Sequence, residues 1–317
     1  RCYVMADTDK TIKLLLRHEK IARARKMKVL YLIFLLPLVQ LIIFRYVPIY
    51  GLIIAFKDYR YGLGFAGSPW NNFAHFKMLF NNPFFVRVMR NTIVISLMRI
   101  VFGFPAPIIL ALLINEVRGM KFKKVVQSIS YLPHFMSWVV LSGILIEILS
   151  PQRGPIGHIY TLLGLAPKNF LIDPGFFRPM IIVTGIWQSI GWGSIVYLAA
   201  LSGIDPALYE SAAVDGANRF QMAMKITLPS LIPIITVLFI LRLGQILNAG
   251  FDQIYNLYNP LVYSVGDILD TAVIRIGLFQ RAYDFATAMG LFKSAIGVAL
   301  IVTTNLIIRK FSDYGVW

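Results

Sequence analysis

Residues 210–229 read ESAAVDGANRFQMAMKITLP, a polar segment between two long apolar stretches. It has a glycine at its centre and a proline at its end, both of which interrupt helices. Two short helices joined by a bend cannot cross a bilayer, so this segment is predicted to lie on a membrane surface. Phe220 and Met224 are four residues apart and would form one apolar face that another protein could bind.

Capping signals divide this segment into its two helices. Asp205 and Pro206 predict the first start, because aspartate caps free amides and proline fits the first turn. Gly216 can adopt the positive φ that ends a helix. Asn218 and Gln221 form a capping-box pattern that starts a second helix. That helix is predicted to end near Thr227, with Pro229 at the entry to the next membrane span.

Composition places the rest of the chain in a membrane. Of 317 residues 57% are hydrophobic and the mean hydropathy is +0.69, whereas soluble domains are about 45–50% apolar. The net charge of +16 fits basic loops on the inner face of a membrane and attraction to anionic lipid. A nucleic-acid partner is not expected, because no basic patch lies on a soluble domain. The single cysteine, Cys2, excludes an intrachain disulfide and a cysteine metal site.

The apolar blocks predict an all-α integral membrane fold with six spanning helices. Their predicted ranges are 29–56 (interrupted by Pro37, Arg45 and Pro48), 91–116, 125–149, 179–201, 230–249 and 285–308. Residues 1–28 would form a basic cytoplasmic tail and residues 29–317 the membrane domain, with its core at about 85–310.

The distribution of Lys and Arg predicts the orientation. These residues concentrate in the N-terminal tail, in the loops after the second and fourth helices, and at the C-terminus. The positive-inside rule then places both termini and residues 210–229 in the cytoplasm. Residues 10–28 alternate basic and apolar side chains and are predicted to lie on anionic lipid. No cleavable signal peptide is expected, because the first apolar run follows a charged tail.

The loops on the other side are aromatic. Asn82 and Pro83 predict a helix N-terminus there. The aromatic side chains could form an interfacial anchoring belt or a docking surface for an extracytoplasmic partner; they are Trp70, Phe73, Phe76, Phe80, Phe84 and Phe85.

Polar residues within the fourth and fifth helices are candidates for a solute pathway, because polar groups in lipid are costly. They are Trp187, Gln188, Trp192, Arg242, Gln245, Asn248 and Asp252. Positions 242, 245, 249 and 252 would share one face of a continuous helix, with Asn248 at its margin. Amide and guanidinium groups suit sugar hydroxyls and indole rings suit sugar C–H faces. Hydrogen bonding between helices is the alternative role for these residues.

Other charges and the histidines indicate no catalytic site. Arg45, Arg99, Glu147 and Lys293 lie within apolar stretches, where they could pair with each other or with a partner subunit, and Lys293 could reach an interface. The four histidines are scattered without a catalytic or metal-ligand spacing, and the sequence contains no P-loop. The chain is therefore expected to be no enzyme, to bind no metal and to hold no cofactor.

The segment 210–229 resembles the EAA loop of the membrane subunits of binding-protein-dependent ABC importers. The matching positions are Glu210, Ala212, Asp215, Gly216, Ala217, Phe220, Ile226, Leu228 and Pro229. Ser211 departs from the usual alanine, which is a small-for-small change. Phe56-Lys57-Asp58-Tyr59 and Asn91-Thr92 are also similar to the carbohydrate-import, maltose-permease-like branch with the type I fold.

The resemblance implies a permease subunit of a bacterial cell membrane importer that carries an oligosaccharide or polysaccharide fragment by alternating access. Expected partners are a second homologous permease, two ATPase subunits that bind ATP and Mg²⁺, and an extracytoplasmic solute-binding protein. Glu210 would contact the ATPase and Gly216 would be the hinge. Coupling would also involve Ser211, Ala212, Ala213, Asp215, Ala217, Phe220, Met224 and Pro229. A permease for a non-sugar solute, a membrane-embedded transferase and a channel or sensor subunit are the alternatives.

Overall fold

The computed structural model describes the backbone of residues 27–311 and the side chains of residues 27–306. In this part the chain is helical, apart from loops and one isolated antiparallel bridge between Lys57 and Trp70. Contacts divide the chain into two units, residues 1–70 and 71–317. The predicted lipid-bound helix of the basic tail lies almost wholly outside the described residues.

The first unit is built on one long apolar helix, Lys28–Phe56, of 29 residues. It comprises α1 (Lys28–Leu41), a π-helical turn (Ile42–Tyr46) and a 3-10 segment (Val47–Phe56). The predicted interruption was wrong at Pro37, which lies within α1. Regular α-helix does end before the other two predicted positions: Arg45 lies in the π-helical turn, and Pro48 lies in the first turn of the 3-10 segment, where its missing amide is tolerated. The side chains of residues 28–50 are exposed, as expected of a helix covered by lipid.

Lys57 closes the loop that follows this helix. Its ammonium donates to the carbonyl of Phe65 at 2.6 Å and lies 5.3 Å from the centre of the Trp70 ring. The loop also contains a 3-10 turn (Tyr61–Leu63) and the short helix α2 (Gly64–Gly67). The Ser68 hydroxyl accepts from the amide of Arg60 at 3.0 Å. Lys57, in the motif similar to sugar permeases, is thus a buried structural residue.

The second unit contains the remaining helices. Its first half comprises α3 (Ala74–Asn81), α4 (Pro83–Met98), a π-helical turn (Arg99–Gly103), α5 (Pro105–Glu116), α6 (Met120–Tyr131), a 3-10 turn (Leu132–Phe135), α7 (Trp138–Ile148), α8 (Pro155–Leu162), a 3-10 turn (Phe170–Ile172) and α9 (Pro174–Leu201). Its second half comprises α10 (Pro206–Val214), α11 (Arg219–Met222), a π-helical turn (Ala223–Thr227), α12 (Leu228–Gly244), α13 (Phe251–Leu257), a 3-10 turn (Pro260–Val262), α14 (Tyr263–Gly266), α15 (Leu269–Ile274), a π-helical turn (Arg275–Phe279) and α16 (Tyr283–Phe311).

Five of the described helical runs are long and apolar enough to cross a membrane: Lys28–Phe56, Pro83–Glu116, Pro174–Leu201, Arg219–Gly244 and Tyr283–Leu306. A sixth span is present if α6 and α7 count as one. The prediction of a straight third helix over 125–149 was wrong, because the chain bends there by 104°. Pro133 stands in the 3-10 turn at the bend, and Ser137 caps the restarted helix by accepting from the amide of Val140.

Helix α9 lies at the centre of the second unit, where it packs against α5, α6 and α12. It contributes to two apolar clusters, one containing Phe177 and Ile181 and another containing Tyr197 and Leu201. Gly191 on α9 is buried against the backbone of α6, and a Cβ there would lie 2.9 Å from the amide nitrogen of Tyr131. The close approach of α9 and α6 therefore requires glycine at this position.

Candidate functional site

The first half of the polar segment is the helix α10, with both ends capped as the sequence predicts. The Asp205 carboxylate accepts from the amide of Ala207 at 2.9 Å, and Pro206 occupies the first position. At the other end the amides of Gly216 and Ala217 donate to the carbonyls of Ala213 and Ala212 at 3.1 and 2.9 Å. With Gly216 at φ +77° this is a Schellman motif, so the prediction that Gly216 ends the first helix is confirmed.

The second half does not end where the sequence suggests. Asn218 and Gln221 form the expected capping box, with bonds of 2.9 and 2.8 Å. The helix then continues through the π-helical turn Ala223–Thr227 and past Pro229 to Gly244. The predicted end near Thr227 was therefore wrong. The carbonyl four residues before Pro229 belongs to Lys225, inside the wider π-helical turn, which accommodates the missing proline amide.

This segment presents an exposed surface. Most predicted coupling residues are exposed and two are half-buried: Glu210, Ser211, Ala213, Asp215, Gly216, Phe220, Met224 and Pro229 are exposed, and Ala212 and Ala217 are half-buried. Phe220 is 75% exposed. Val214 is 89% exposed and was missed by sequence reasoning, although a valine at the last turn of a surface helix is a signal. Large apolar side chains exposed together indicate a docking surface.

Two contacts join this surface to the membrane helices. The Tyr209 hydroxyl lies 3.0 Å from the hydroxyl of the buried Thr227, at the base of α12. The Arg219 guanidinium lies 3.7 Å from the carboxylate of Glu116, at the end of α5. A displacement of α10 would therefore be passed to the base of α12, and a displacement of α11 to the end of α5.

The second candidate region is a cavity of about 320 Å³ between the π-helical turn at residue 99 and helices α5, α9 and α12. Its polar and aromatic lining residues are Arg99, Phe104, Ser189, Trp192, Tyr197 and Arg242. Two of the predicted pathway residues, Trp192 and Arg242, therefore meet here, whereas Trp187 and Gln188 do not line it.

The predicted polar stripe on the fifth helix was wrong beyond Arg242. Helix α12 ends at Gly244, and residues 245–250 form turns before α13 begins at Phe251. Gln245, Asn248 and Asp252 are exposed and do not line the cavity. The stripe required one continuous helix, but Gly244 and Gly250, the latter at φ +85°, interrupt it.

An aromatic stack supports Trp192. Its indole ring is parallel to the imidazole of His134, with ring centres 4.8 Å apart and planes at 4°. Phe135 meets the same indole edge-on at 5.8 Å. His134 and Phe135 belong to the 3-10 turn at the bend between α6 and α7. The bend that the sequence did not predict therefore holds this ring at the cavity wall.

Arg99 contributes the second guanidinium group of the cavity, and its observed partner was not among those expected from the sequence. It begins the π-helical turn between α4 and α5 and donates to the side-chain oxygen of Gln253. Gln253 is buried, and its amide nitrogen donates to the Ile181 carbonyl at 3.0 Å and to the Thr184 hydroxyl at 2.7 Å. The sequence signal that could have identified Arg99 as a cavity residue is its position in the middle of an apolar span.

Another polar network lies in the connection between α13 and α16. The carboxylate of Asp267, which is 0% exposed, accepts from Arg275 at 3.0 Å and from the Thr271 hydroxyl at 2.9 Å. The Arg275 guanidinium also lies 4.4 Å from the centre of the Tyr263 ring. Burial together with Tyr263 raises the pKa of Tyr258 to about 12. The network holds charge inside the protein through pairing.

The remaining charges singled out in the sequence lie apart from the cavity. The Lys293 ammonium binds Asp270 at 2.6 and 2.7 Å and so links α16 to α15. Glu147 is exposed and lies 3.3 Å from Arg153. Arg45 is exposed on the apolar helix of the first unit. None of these three residues lines the described cavity.

Comparisons with known proteins agree with this arrangement. A family model described as binding-protein-dependent transport system inner membrane component matches residues 103–313. Protein LplB of Bacillus subtilis (strain 168) is 44% identical over 296 residues, 93% of each chain. The polygalacturonan/rhamnogalacturonan transport system permease protein YteP of the same organism is 41% identical over 290 residues, 92% of this chain and 90% of that protein.

Solved structures give the same result for the fold. A chain of a bacterial ABC transporter involved in the import of the acidic polysaccharide alginate superposes with a TM-score of 0.84 and 42% sequence identity. The match covers 92% of this chain and 98% of that one. A second structure, of a bacterial alginate transporter in complex with a periplasmic protein that binds an alginate pentasaccharide, superposes with a TM-score of 0.83.

Proposed function

The chain belongs to the family of inner membrane components of binding-protein-dependent transport systems, and from this membership we propose that it imports an oligosaccharide through the Arg99–Arg242 cavity. It is a multi-pass membrane permease subunit of an ABC importer with the type I fold. Its partners are ATPase subunits and a solute-binding protein. A second permease chain of the same type completes the proposed assembly.

The exposed surface of residues 205–229 is the observation that most directly supports the proposed ATP-driven import. Glu210, Val214 and Phe220 are exposed on two capped helices that meet at Gly216. The second of these helices is continuous with α12, which carries Arg242 near the end farthest from this surface. An ATPase that binds this surface can therefore move one wall of the cavity lined by Arg99 and Arg242. Alternating access requires such coupling between the ATPase and the solute site.

The sidedness and the energy source follow from the sequence. The concentration of Lys and Arg in the N-terminal tail and in the loop after the second predicted helix, together with Arg219 and Lys225 in the polar segment, favours a cytoplasmic location for residues 205–229 and for both termini. The sequence contains no P-loop, so ATP and Mg²⁺ would bind to the ATPase subunits and this chain would catalyse no reaction and hold no cofactor. An oligosaccharide is favoured as solute because two relatives are named for polysaccharides.

Charge reversal at Glu210 tests the coupling surface. Glu210→Lys is expected to lower co-purification of the ATPase about tenfold or more, because it removes an exposed charge contact and substitutes a like-charge repulsion. Pull-down from membranes, followed by ATP hydrolysis stimulated by the loaded binding protein, measures this. Glu147→Lys reverses an exposed acid on α7 and should leave both readouts unchanged. Wild-type protein that recruits no ATPase would contradict the importer function and favour a channel or sensor subunit.

The hydroxyl contact between Tyr209 and Thr227 gives a second prediction. Tyr209→Phe removes a hydrogen bond with a net value of about 0.5–1.5 kcal/mol but leaves the docking surface intact. ATPase recruitment should be normal, whereas solute imported per ATP hydrolysed should fall about threefold. The ratio is measured with labelled solute in proteoliposomes. A Ser202→Ala variant, which removes an exposed hydroxyl at the end of α9 that donates to the Ala199 carbonyl, is the control, and equal losses in both variants would argue against a specific role for the contact.

A further inference from the structure

The cavity beside α9 has an uncompensated positive character. Arg99 and Arg242 both line it, and its described lining includes no Asp or Glu. Among the described residues no salt bridge to either arginine is formed. A charged group at membrane depth is costly unless it is paired, and two guanidinium groups in one cavity repel each other. The site therefore lacks a negative charge.

The guanidinium of Arg99 is held in a fixed position with donors to spare. One donor is used by the Gln253 oxygen, while its Nε is buried and has no hydrogen-bond partner in the described part of the chain. Gly250 makes room for the group, because a Cβ there would lie 2.8 Å from one terminal nitrogen of Arg99 and closer still to the other. Gly185 is also close, with a Cβ position 3.3 Å from the first of these nitrogens.

Gln253 acts as the anchor of Arg99. Its side chain spans from α13 to α9, where the Ile181 carbonyl and the Thr184 hydroxyl accept from it. These two bonds fix which end of the amide faces Arg99, because the nitrogen is committed to α9 and the oxygen must point to the guanidinium. Gln253 can therefore orient Arg99 without neutralising it.

We propose that this cavity recognises a carboxylate of the imported solute, which is therefore an acidic oligosaccharide. The inference rests on the proposed importer function. The carboxylate accepts from Arg99 and Arg242, the arrangement in which guanidinium groups bind carboxylates most strongly. Trp192, held by His134, offers its ring to the C–H face of the sugar. The volume of about 320 Å³ is within the range of about 300–1,000 Å³ typical of small-molecule sites.

The test compares two solutes that differ only in charge. The complete importer with its binding protein is reconstituted in proteoliposomes, and uptake is measured for a galacturonic acid trimer and for the same trimer with its carboxyl groups reduced. Arg99→Gln is expected to lower uptake of the acidic trimer more than tenfold and uptake of the neutral trimer less than twofold. Arg45→Gln, an exposed arginine in another π-helical turn, is the matched control and should change neither.

Gln253 is tested as a positioning residue. Gln253→Leu is expected to raise the half-saturating concentration of the acidic trimer about fivefold to tenfold, with the maximal rate and the uptake of the neutral trimer unchanged. A purely structural role would instead lower the maximal rate for both solutes through loss of assembled complex, which size-exclusion chromatography of each variant detects.

The outcomes separate the carboxylate site from the importer function. If Arg99→Gln loses uptake of both trimers equally, the carboxylate site is overturned and the importer function stays intact. The same conclusion follows if the wild-type importer takes up the neutral trimer but not the acidic one. A wild-type complex that recruits no ATPase and imports neither trimer would overturn both. A loss of uptake in Arg99→Gln that is confined to the acidic trimer supports the carboxylate site.

Discussion

Gly216→Val is expected to abolish ATP-driven uptake while the protein remains in the membrane. A valine Cβ at residue 216 would meet no atom within 4 Å, so the effect comes from the backbone alone. At φ +77° an L-residue costs roughly 1–2 kcal/mol, and a β-branched residue is among the least tolerant. The Schellman motif would open and the angle between α10 and α11 would change, so the ATPase could no longer bind both helices at once. Uptake and co-purification of the ATPase measure this.

Gly216→Asn separates the backbone effect from the loss of glycine. Asparagine adopts the left-handed conformation more readily than other residues, so this variant should keep most of the uptake. Gly216→Ala should be intermediate. Normal uptake in Gly216→Val, with the ATPase bound at wild-type level, would show that the fixed angle between α10 and α11 is not needed for coupling.

Asp267→Asn is expected to destabilise the protein by about 3–5 kcal/mol, because it leaves the partly buried Arg275 without its counter-charge. In a chain of this size that corresponds to a fall of roughly 10 °C in the midpoint of thermal unfolding. The side chain of Asp267 is 0% exposed and that of Arg275 is 16% exposed. The change keeps the size of the side chain, so the loss reports charge pairing and not packing. Thermal unfolding in detergent, followed by tryptophan fluorescence, measures it.

The matched control is an ion pair of the same type at the surface. Lys168 pairs with Asp173, and the hydrogen bond from its ammonium lowers the pKa of Asp173. The amide of Gly175 also donates to Asp173, at 2.8 Å, and asparagine preserves that helix cap. Asp173→Asn should therefore leave the unfolding midpoint unchanged, because exposed pairs are screened by solvent. Similar shifts in the two variants would contradict a special role for burial.

The polar segment could be predicted in detail because its structure is local. Asp205, Gly216 and the pair Asn218–Gln221 each act on amides within a few residues, so spacing along the sequence is sufficient. Apolar runs likewise predicted most spans. The bend at Pro133 was not predicted because the third span was assigned from hydropathy alone, although the proline is present in the sequence. Near Pro229 the error was the reverse: a helix end was predicted, but the helix continues because a π-helical turn accommodates the missing proline amide.

The cavity lined by Arg99 and Arg242 was only half predictable because it depends on contacts between distant residues. Trp192 and Arg242 were recognised as polar or aromatic residues in apolar helices. Arg99 could not be placed, since Gln253 lies 154 residues away along the chain. The stripe through Gln245 and Asp252 failed because helical periodicity was extended past Gly244. The interactions that orient guanidinium groups here come from packing of α13 against α9.

The unbroken helix from Arg219 to Gly244 has a mechanical consequence. Its 26 residues form a rod roughly 39 Å long, and a tilt of about 10° around its midpoint moves each end by about 3 Å. One end is part of the ATPase-facing surface and the other carries Arg242. Arg99 is tied to α9 through Gln253, beyond the break at residues 245–250, and does not belong to the rod. Under the proposed function the helix is a lever: movement at the end that the ATPase binds changes the separation of the two positive charges, and with it the binding of a carboxylate between them.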